Sequence, residues 1–340
     1  MKPLDFAIVG AGFWSRFQLS GWRELEGVRC VAICDRVREK AERLAAEFDV
    51  PAVHDDAATL LDRERLDFVD IISDPATHAP LVHLAVDRGV AAIVQKPMAT
   101  TLSEAEGMVD TARRAGVPLF VHENWRWQPP LRALERLLKE EPIGTPYRAR
   151  LTFTSAFPVF DNQPFLKQLE QFIITDVGSH ILDAVRFLFG EVAGVTCRTA
   201  RTRPDIRGEN VATILLDMRS GMTVVCELGY ASRTRHECFP QTRILVEGAD
   251  GSLELERDHW IHVTRHDRQR AERFPCTAYA WADPAYDVVH SSIVACNANL
   301  LAALRGEAAA ETTGADNLET MRLIFACYES AASGEVVHCG

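Results

Sequence analysis

The first 125 residues alternate short apolar runs with helical patterns, and the first run ends in Gly10-Ala-Gly12. This rhythm constrains the fold more than any other feature. Strands joined by helical crossovers pair in parallel, because each helix returns the chain to the same end of the sheet. Residues 6–9, 28–34, 68–72, 90–94 and 117–121 read as buried strands. Helices are expected after Gly12 through Arg23, over 38–48, over 78–88 and over 103–115 with Ser103 as its cap. Gly89 and Gly116 close the last two, using glycine's tolerance of positive φ.

After Trp127 the rhythm changes. Pro129-Pro130 opens a helix, and residues 147–157, 192–202, 211–218, 222–230, 243–247 and 253–256 read as strands. Turns such as Arg219-Ser-Gly221 and Gly248-Ala-Asp-Gly251 suit antiparallel hairpins. Two helices, over 287–305 and 316–333, finish the chain. The expected fold class is α/β. Residues 1–125 form a parallel-sheet domain, and residues 126–340 form an α+β domain with a large, mostly antiparallel open sheet. A chain of 340 residues exceeds one ordinary core, which also favours two domains.

The formal net charge of -11 argues against nucleic acid or an anionic membrane as partner, since both reward a basic surface. No uninterrupted apolar run reaches spanning length. Nine cysteines with no Cys-x-x-Cys pair suit reduced thiols in a cytoplasmic protein.

Gly10-Ala-Gly12-Phe13-Trp14-Ser15 follows a strand and opens a helix, as a dinucleotide fingerprint requires. The first glycine permits the turn. The second lets backbone approach a pyrophosphate at the helix N-terminus. Ser15 stands at the third position and can add a hydroxyl near the phosphates. Asp35, 25 residues after Gly10, can accept hydrogen bonds from an adenosine ribose, which favours NAD. Arg36 beside it leaves NADP open.

Chemistry needs a proton acceptor as well as a cofactor. Oxidising an alcohol by hydride transfer requires a base for the hydroxyl proton. Lys96 follows the apolar strand 90–94, at the strand end where open α/β sheets bind ligands. Asp176 and His180 are four apart, so a helix places them on one face. Asp183 lies one turn further and either orients His180 or faces water. Asp176 and His180 lack an obvious third ligand for a metal, so none is expected.

Gly10-Ala-Gly12, Asp35, Pro75-Ala-Thr-His78, Gln95-Lys96-Pro97 and Asp176-x-Gly178-x-His180-x-x-Asp183 together resemble the glucose–fructose oxidoreductase / inositol dehydrogenase / rhizopine-catabolism (Gfo/Idh/MocA) family. The resemblance implies a Rossmann domain, and a C-terminal domain whose open sheet makes a homo-oligomer, dimer or tetramer. It implies NAD(P)-dependent oxidation or reduction of a carbohydrate or sugar acid. The family's catalytic residues map to Lys96, Asp176 and His180, with the Lys96-Pro97 bond cis. Cofactor-binding positions map to Gly10, Gly12, Phe13, Trp14, Asp35, Arg36, Ser73, Pro75, His78, Gln95 and Lys96. Gln95 stands where that family usually has glutamate, keeping hydrogen-bonding ability without the charge.

His122-Glu-Asn-Trp-Arg-Trp127, Ser155-Ala-Phe157, Gln163-Pro-Phe165 and Trp281-Ala-Asp-Pro284 are similar to a subgroup acting on branched sugar acids, the apionate oxidoisomerases. Lys96, Asp176 and His180 are substrate-binding candidates, with Gln163 and Arg126 beside them. The Arg126 guanidinium either holds a substrate carboxylate or pairs with a carboxylate of its own domain. Gln168, His290 and Asn297 are weaker candidates. A neutral sugar or polyol is the alternative substrate. A cofactor-binding sensor without enzyme activity is the alternative of another class.

Overall fold

The apolar run at the N-terminus becomes β1 (Leu4–Val9), whose last four residues are buried, as a central parallel strand covered on both faces requires. The computed structural model describes residues 3–140, 143–235, 237–266 and 268–340. From β1 the chain runs through α1 (Phe13–Arg23), β2 (Val28–Cys34), α2 (Arg38–Phe48), β3 (Ala52–His54) and α3 (Ala57–Arg63). It continues through β4 (Phe68–Ile71), α4 (His78–Val86), β5 (Ala91–Gln95), α5 (Leu102–Ala115) and β6 (Leu119–His122).

These six strands pair in parallel in the order β3-β2-β1-β4-β5-β6. The order reverses between β1 and β4, the switch point where a doubly wound sheet opens a crevice. β3 and α3 are additions to the sequence reading. Three residues are too few to carry a strand period, and β3 is defined only by its pairing with β2. The α5 cap also differs. Thr101 and Glu104 form a capping box, so Ser103 lies inside the helix rather than at its start.

The second sheet follows α6 (Pro129–Glu140) and comprises nine strands. They are built from β7 (Pro146–Thr154), then, after α7 (Val159–Asn162) and α8 (Ser179–Phe189), β8 (Val192–Ala200), β9 (Val211–Met218) and β10 (Thr223–Gly229). β11 (Arg243–Gly248), β12 (Gly251–Leu255), β13 (Trp260–Arg265) and β14 (Arg268–Arg273) complete one wing. All its pairings are antiparallel except β7 with β10. β9 shows the expected alternation: Ala212, Ile214, Leu216 and Met218 are buried while Leu215 between them is 41% exposed. β14 is wholly exposed, with four of its six residues charged, a composition that protects a sheet edge from further pairing and that hid it as a strand.

The chain then runs through α9 (Asp287–Leu304), α10 (Gly314–Ser333) and β15 (Val337–His338), which pairs with β8. Two compact units result: Met1–Asn124 with Ala278–Met321, and Trp125–Thr277 with Arg322–Gly340. A single cut at 125/126 therefore differs from the packing. α9 belongs with the first sheet because its surface is complementary to α1 and β6. Gly21 of α1 admits Ile293, whose Cγ2 would lie 2.6 Å from a Cβ at that position. Asn124 donates to the Ser292 hydroxyl at 2.7 Å. α9 is long and apolar enough to cross a membrane, but 61% of its apolar window is buried, as in a core helix.

Candidate active site

In the first unit, Gly10 has φ +105°, and a Cβ there would lie 2.3 Å from the Ile72 carbonyl oxygen. Only glycine lets the turn pass that close to the end of β4. Ser15 is fully buried, and its hydroxyl donates to the Gly10 carbonyl at 2.7 Å. It ties the turn to α1 instead of offering a hydroxyl to phosphates, as the sequence suggested. α1 starts at Phe13 with Gly12 as its N-cap and no side-chain cap. A Cβ at Gly12 would meet nothing within 4 Å, so packing does not require glycine there. A pyrophosphate lying on the helix N-terminus would.

Asp35 closes this corner. Its two oxygens accept from the Ala11 and Val37 amides, each at 2.8 Å. Each carboxylate oxygen has two lone pairs, which leaves acceptor capacity for ribose hydroxyls. Arg36 is exposed beside it, Phe13 is 62% exposed, and Trp14 is half-buried. These residues fit a dinucleotide: a clash-free cradle, uncapped helix amides and an acceptor at the end of β2.

The turn after β4 is locally determined. Asp74 accepts from the Ala76 amide at 3.0 Å with Pro75 at the first position, and the Ser73 and Thr77 hydroxyls are 2.7 Å apart. His78 departs from expectation. It is 0% exposed, too deep to touch a cofactor. Its Nε2 lies 3.2 Å from the Ser73 carbonyl, and its Nδ1 lies 3.1 Å from that of Pro97. Burial lowers its pKa against the pull of those carbonyls. A neutral ring can donate to only one of them. His78 thus braces the Ser73 turn against the segment after Lys96.

Lys96 follows the last residue of β5 and is half-buried, with a cis bond to Pro97. Its backbone N–H donates to Gln95 Oε1 at 2.8 Å. Gln95 Nε2 donates to Gln18 Oε1 at 2.8 Å. The weaker candidates His290 and Asn297 are buried within this unit. His290 stacks on Phe17 with ring centroids 4.7 Å apart, and Asn297 Oδ1 lies 3.1 Å from His122 Nε2. Both serve packing.

In the second unit, Asp176 and His180 occupy consecutive turns, but the segment is not one regular α-helix. Ile174–Gly178 is a π turn running into α8. Such insertions accompany functional positions in helices. His180 is 6% exposed and stacks on Trp125, with centroids 4.4 Å apart and planes at 18°. The buried Tyr230 phenol is pushed well above its usual pKa by burial and by the Asp176 charge. That places a neutral hydroxyl-bearing ring beside the carboxylate.

Glu209, from the loop between β8 and β9, supports the same segment. It accepts from the Phe172 amide at 3.2 Å, the Ile174 amide at 3.3 Å and the Tyr328 hydroxyl at 2.8 Å. The Thr175 amide donates to that hydroxyl at 3.2 Å. A carboxylate on the first-turn amides completes hydrogen bonds that the helix cannot make itself and favours its dipole.

Arg126 does not offer its fork to a ligand. Its Nε and Nη2 donate to the two Asp183 oxygens at 2.7 and 2.5 Å, with both residues buried. This is the intradomain alternative, a carboxylate of the same unit. Gln163 is half-buried at the end of α7, its backbone amide donating to Val159 at 3.0 Å, and Gln168 is exposed.

A doubly wound sheet with this turn, an aspartate at the end of β2 and a lysine at the end of β5 defines the class of nicotinamide-dependent dehydrogenases. Residues 4–123 match the GFO_IDH_MocA oxidoreductase family with its NAD-binding Rossmann fold, and residues 131–254 match the GFO/IDH/MocA C-terminal domain. The chain belongs to this family of oxidoreductases. It is 44% identical to a D-apiose dehydrogenase of Paraburkholderia graminis, covering 99% of this chain and 90% of that one. It is 38% identical to a D-apiose dehydrogenase of Rhizobium rhizogenes, covering 100% and 99%. Its fold matches an oxidoreductase from Agrobacterium radiobacter, solved with NAD+, L-tartaric acid and magnesium, at a TM-score of 0.97 and 38% identity, over 99% of this chain and 98% of that one.

Proposed function

We propose that this oxidoreductase is an NAD-dependent dehydrogenase of a branched sugar of the apiose type. The similarity to D-apiose dehydrogenases over nearly the full length of both chains carries the reading. The engagement of Arg126 by Asp183 supports a neutral sugar, because the strongest candidate for gripping a substrate carboxylate is already used.

In this reading the Gly10–Gly12 turn and the α1 amides hold the pyrophosphate, and Asp35 holds the adenosine ribose. Bound NAD supplies a hydride acceptor. Oxidation of the substrate CH–OH breaks its C–H and O–H bonds and forms C=O; the hydride goes to NAD and the proton to the protein. Lys96 and His180 are the acid–base groups of this reading, able to hydrogen-bond the reacting hydroxyl or accept its proton. Asp176 stabilises the imidazolium that results. The exposed outer face of the nine-stranded sheet, with Leu215 and Trp260 each 41% exposed, suits a homo-oligomer interface; light scattering tests it.

A second reading is a sugar acid with coupled isomerisation; its acid part is favoured by the L-tartaric acid in the Agrobacterium relative. The test is a panel of D-apiose, other pentoses, inositols and aldonic acids with NAD and NADP, following nicotinamide absorbance. The proposal expects D-apiose with NAD to be fastest. Preference for an acid would select the second reading. Cofactor binding with no turnover of any substrate would select a sensor. Lys96→Met should lower kcat by about 100-fold or more while NAD still binds; normal turnover would refute its role.

A further inference from the structure

β4 is apolar apart from Asp70, which is 0% exposed. A carboxylate in that position is costly unless it is hydrogen-bonded. Gln18 Nε2 lies 2.7 and 2.8 Å from its two oxygens, and Trp22 Nε1 donates at 2.7 Å. Both donors come from α1.

The bonds run onward with a fixed sense. An ionised carboxylate only accepts, so Gln18 must aim its NH2 at Asp70 and its Oε1 away. That Oε1 accepts from Gln95 Nε2 at 2.8 Å, and Gln95 Oε1 therefore faces the Lys96 amide, again at 2.8 Å. Gln95 Nε2 also lies 3.5 Å from His122 Nδ1. His122 Nε2 lies 3.1 Å from Asn297 Oδ1, so Nε2 carries the proton and Nδ1 accepts. Asn297 Nδ2 returns to the Gln18 carbonyl at 3.5 Å. Gln95 has one orientation that satisfies both the Gln18 acceptor and the Lys96 backbone donor.

We propose that Asp70 is a positioning residue for Lys96: its ionised carboxylate sets the sense of the Gln18–Gln95 chain, and its protonation reverses that sense. The inference rests on the reading of Lys96 as catalytic. A protonated Asp70 donates to Gln18 Oε1 while its other oxygen still accepts from Trp22. Gln18 then turns its NH2 to Gln95. Gln95 must turn in response, and its NH2 meets the Lys96 N–H, donor against donor. The backbone at the catalytic lysine loses that acceptor.

Burial pushes the Asp70 carboxyl up to about 7, against the lowering effect of Trp22 and Gln18, so the two senses exchange near neutrality. Residues of β1, β2, β5, β6, α1 and α9 surround this chain of bonds. Cys30 on β2 is pushed up to about 12. Arg23 at the end of α1 stays cationic and donates to the Phe48 carbonyl. β1 and β5 supply Ile8 and Ile93 in register with Asp70. β6 supplies His122 through Gln95, and α9 supplies Asn297.

The chain has five lysines, so 15N-lysine labelling of the full-length protein with NAD resolves few amides, and Lys96→Arg assigns the one of interest. The Lys96 amide resonance should titrate with a midpoint near pH 7 in the native protein. Asp70→Asn keeps its oxygen on Trp22 and offers NH2 to Gln18, so the resonance should rest at its acid-limit position at every pH. Gln18→Met leaves the carboxyl in place but cuts the chain, and should abolish the titration too. At pH 8, where about nine-tenths of Asp70 is ionised in the native protein, Asp70→Asn should lower kcat several-fold, to the acid-limit rate, with KM little changed. Adding Gln95→Leu to Asp70→Asn should cost little more, as expected of residues acting through one path. A flat resonance in the native protein, or a titration surviving in Asp70→Asn, would overturn the proposal. A titrating Lys96 amide together with full turnover in Lys96→Met would sink the catalytic reading and leave the relay standing.

Discussion

The Arg126 guanidinium and the Asp183 carboxylate meet through two parallel hydrogen bonds, with side chains only 6% and 0% exposed. The pair joins the segment after β6 to α8, the helix that carries His180. Removing one partner strands a buried charge, which costs about 3–5 kcal/mol. Arg126→Leu and Asp183→Leu should each lower the unfolding free energy, read from a denaturant titration, by an amount in that range. The double variant should recover most of the loss, since no charge is left without its partner.

Trp125 lies against the flat face of His180. A ring contact of this kind contributes about 0.5–1.5 kcal/mol beyond area burial, and it also limits the orientations of the imidazole. Trp125→Leu should lower kcat more than it changes KM, and Trp125→Phe should restore much of the rate. Equal kinetics in the leucine and phenylalanine variants would count against an orienting role.

Gly10 and Gly12 separate a folding requirement from a binding one. Gly10→Ala places a Cβ against the Ile72 carbonyl and should lower the melting temperature. Gly12→Ala adds a Cβ that meets nothing within 4 Å, so its melting temperature without cofactor should be near native. Its NAD affinity, read by calorimetry, should fall.

Asp70 has a consequence for stability against pH. Its pKa is about 7 in the folded protein and about 3.9 in an unfolded chain, so the folded state binds the extra proton between those values. Its stabilising contribution is present below about pH 4 and is lost as pH rises through 7. Urea unfolding over that range should show stability from this group declining with pH, and Asp70→Asn should flatten the slope.

Much of the first unit could be read from sequence because its chemistry is local. A turn such as Gly10-Ala-Gly12 and an acid after a strand, such as Asp35, are set by neighbours in the chain. β3 could not be read, since Ala52–His54 is a strand only by virtue of β2. Lys96, Asp176 and His180 stood out by residue type and spacing. Their supports did not. Glu209 reaches the turn ahead of α8 from a loop with no period, and the Arg126–Asp183 pair spans 57 residues. Asp70 was read as an ordinary strand position, because its partners Gln18 and Trp22 lie about 50 residues away on α1. The π turn leaves no mark, because its extra residue does not disturb the Asp176–His180 spacing.

α9 comes late in the chain yet completes the first unit. A ribosome delivers residues 1–124 long before residues 278–321, so the nascent nucleotide-binding half waits with α1 and β6 uncovered until most of the protein has been made. The apolar groove that later admits Ile293 at Gly21 is then a surface for chaperones to shield. Residues 1–124 produced alone would carry that wound permanently, which makes this half a poor candidate for transplantation as a stand-alone module.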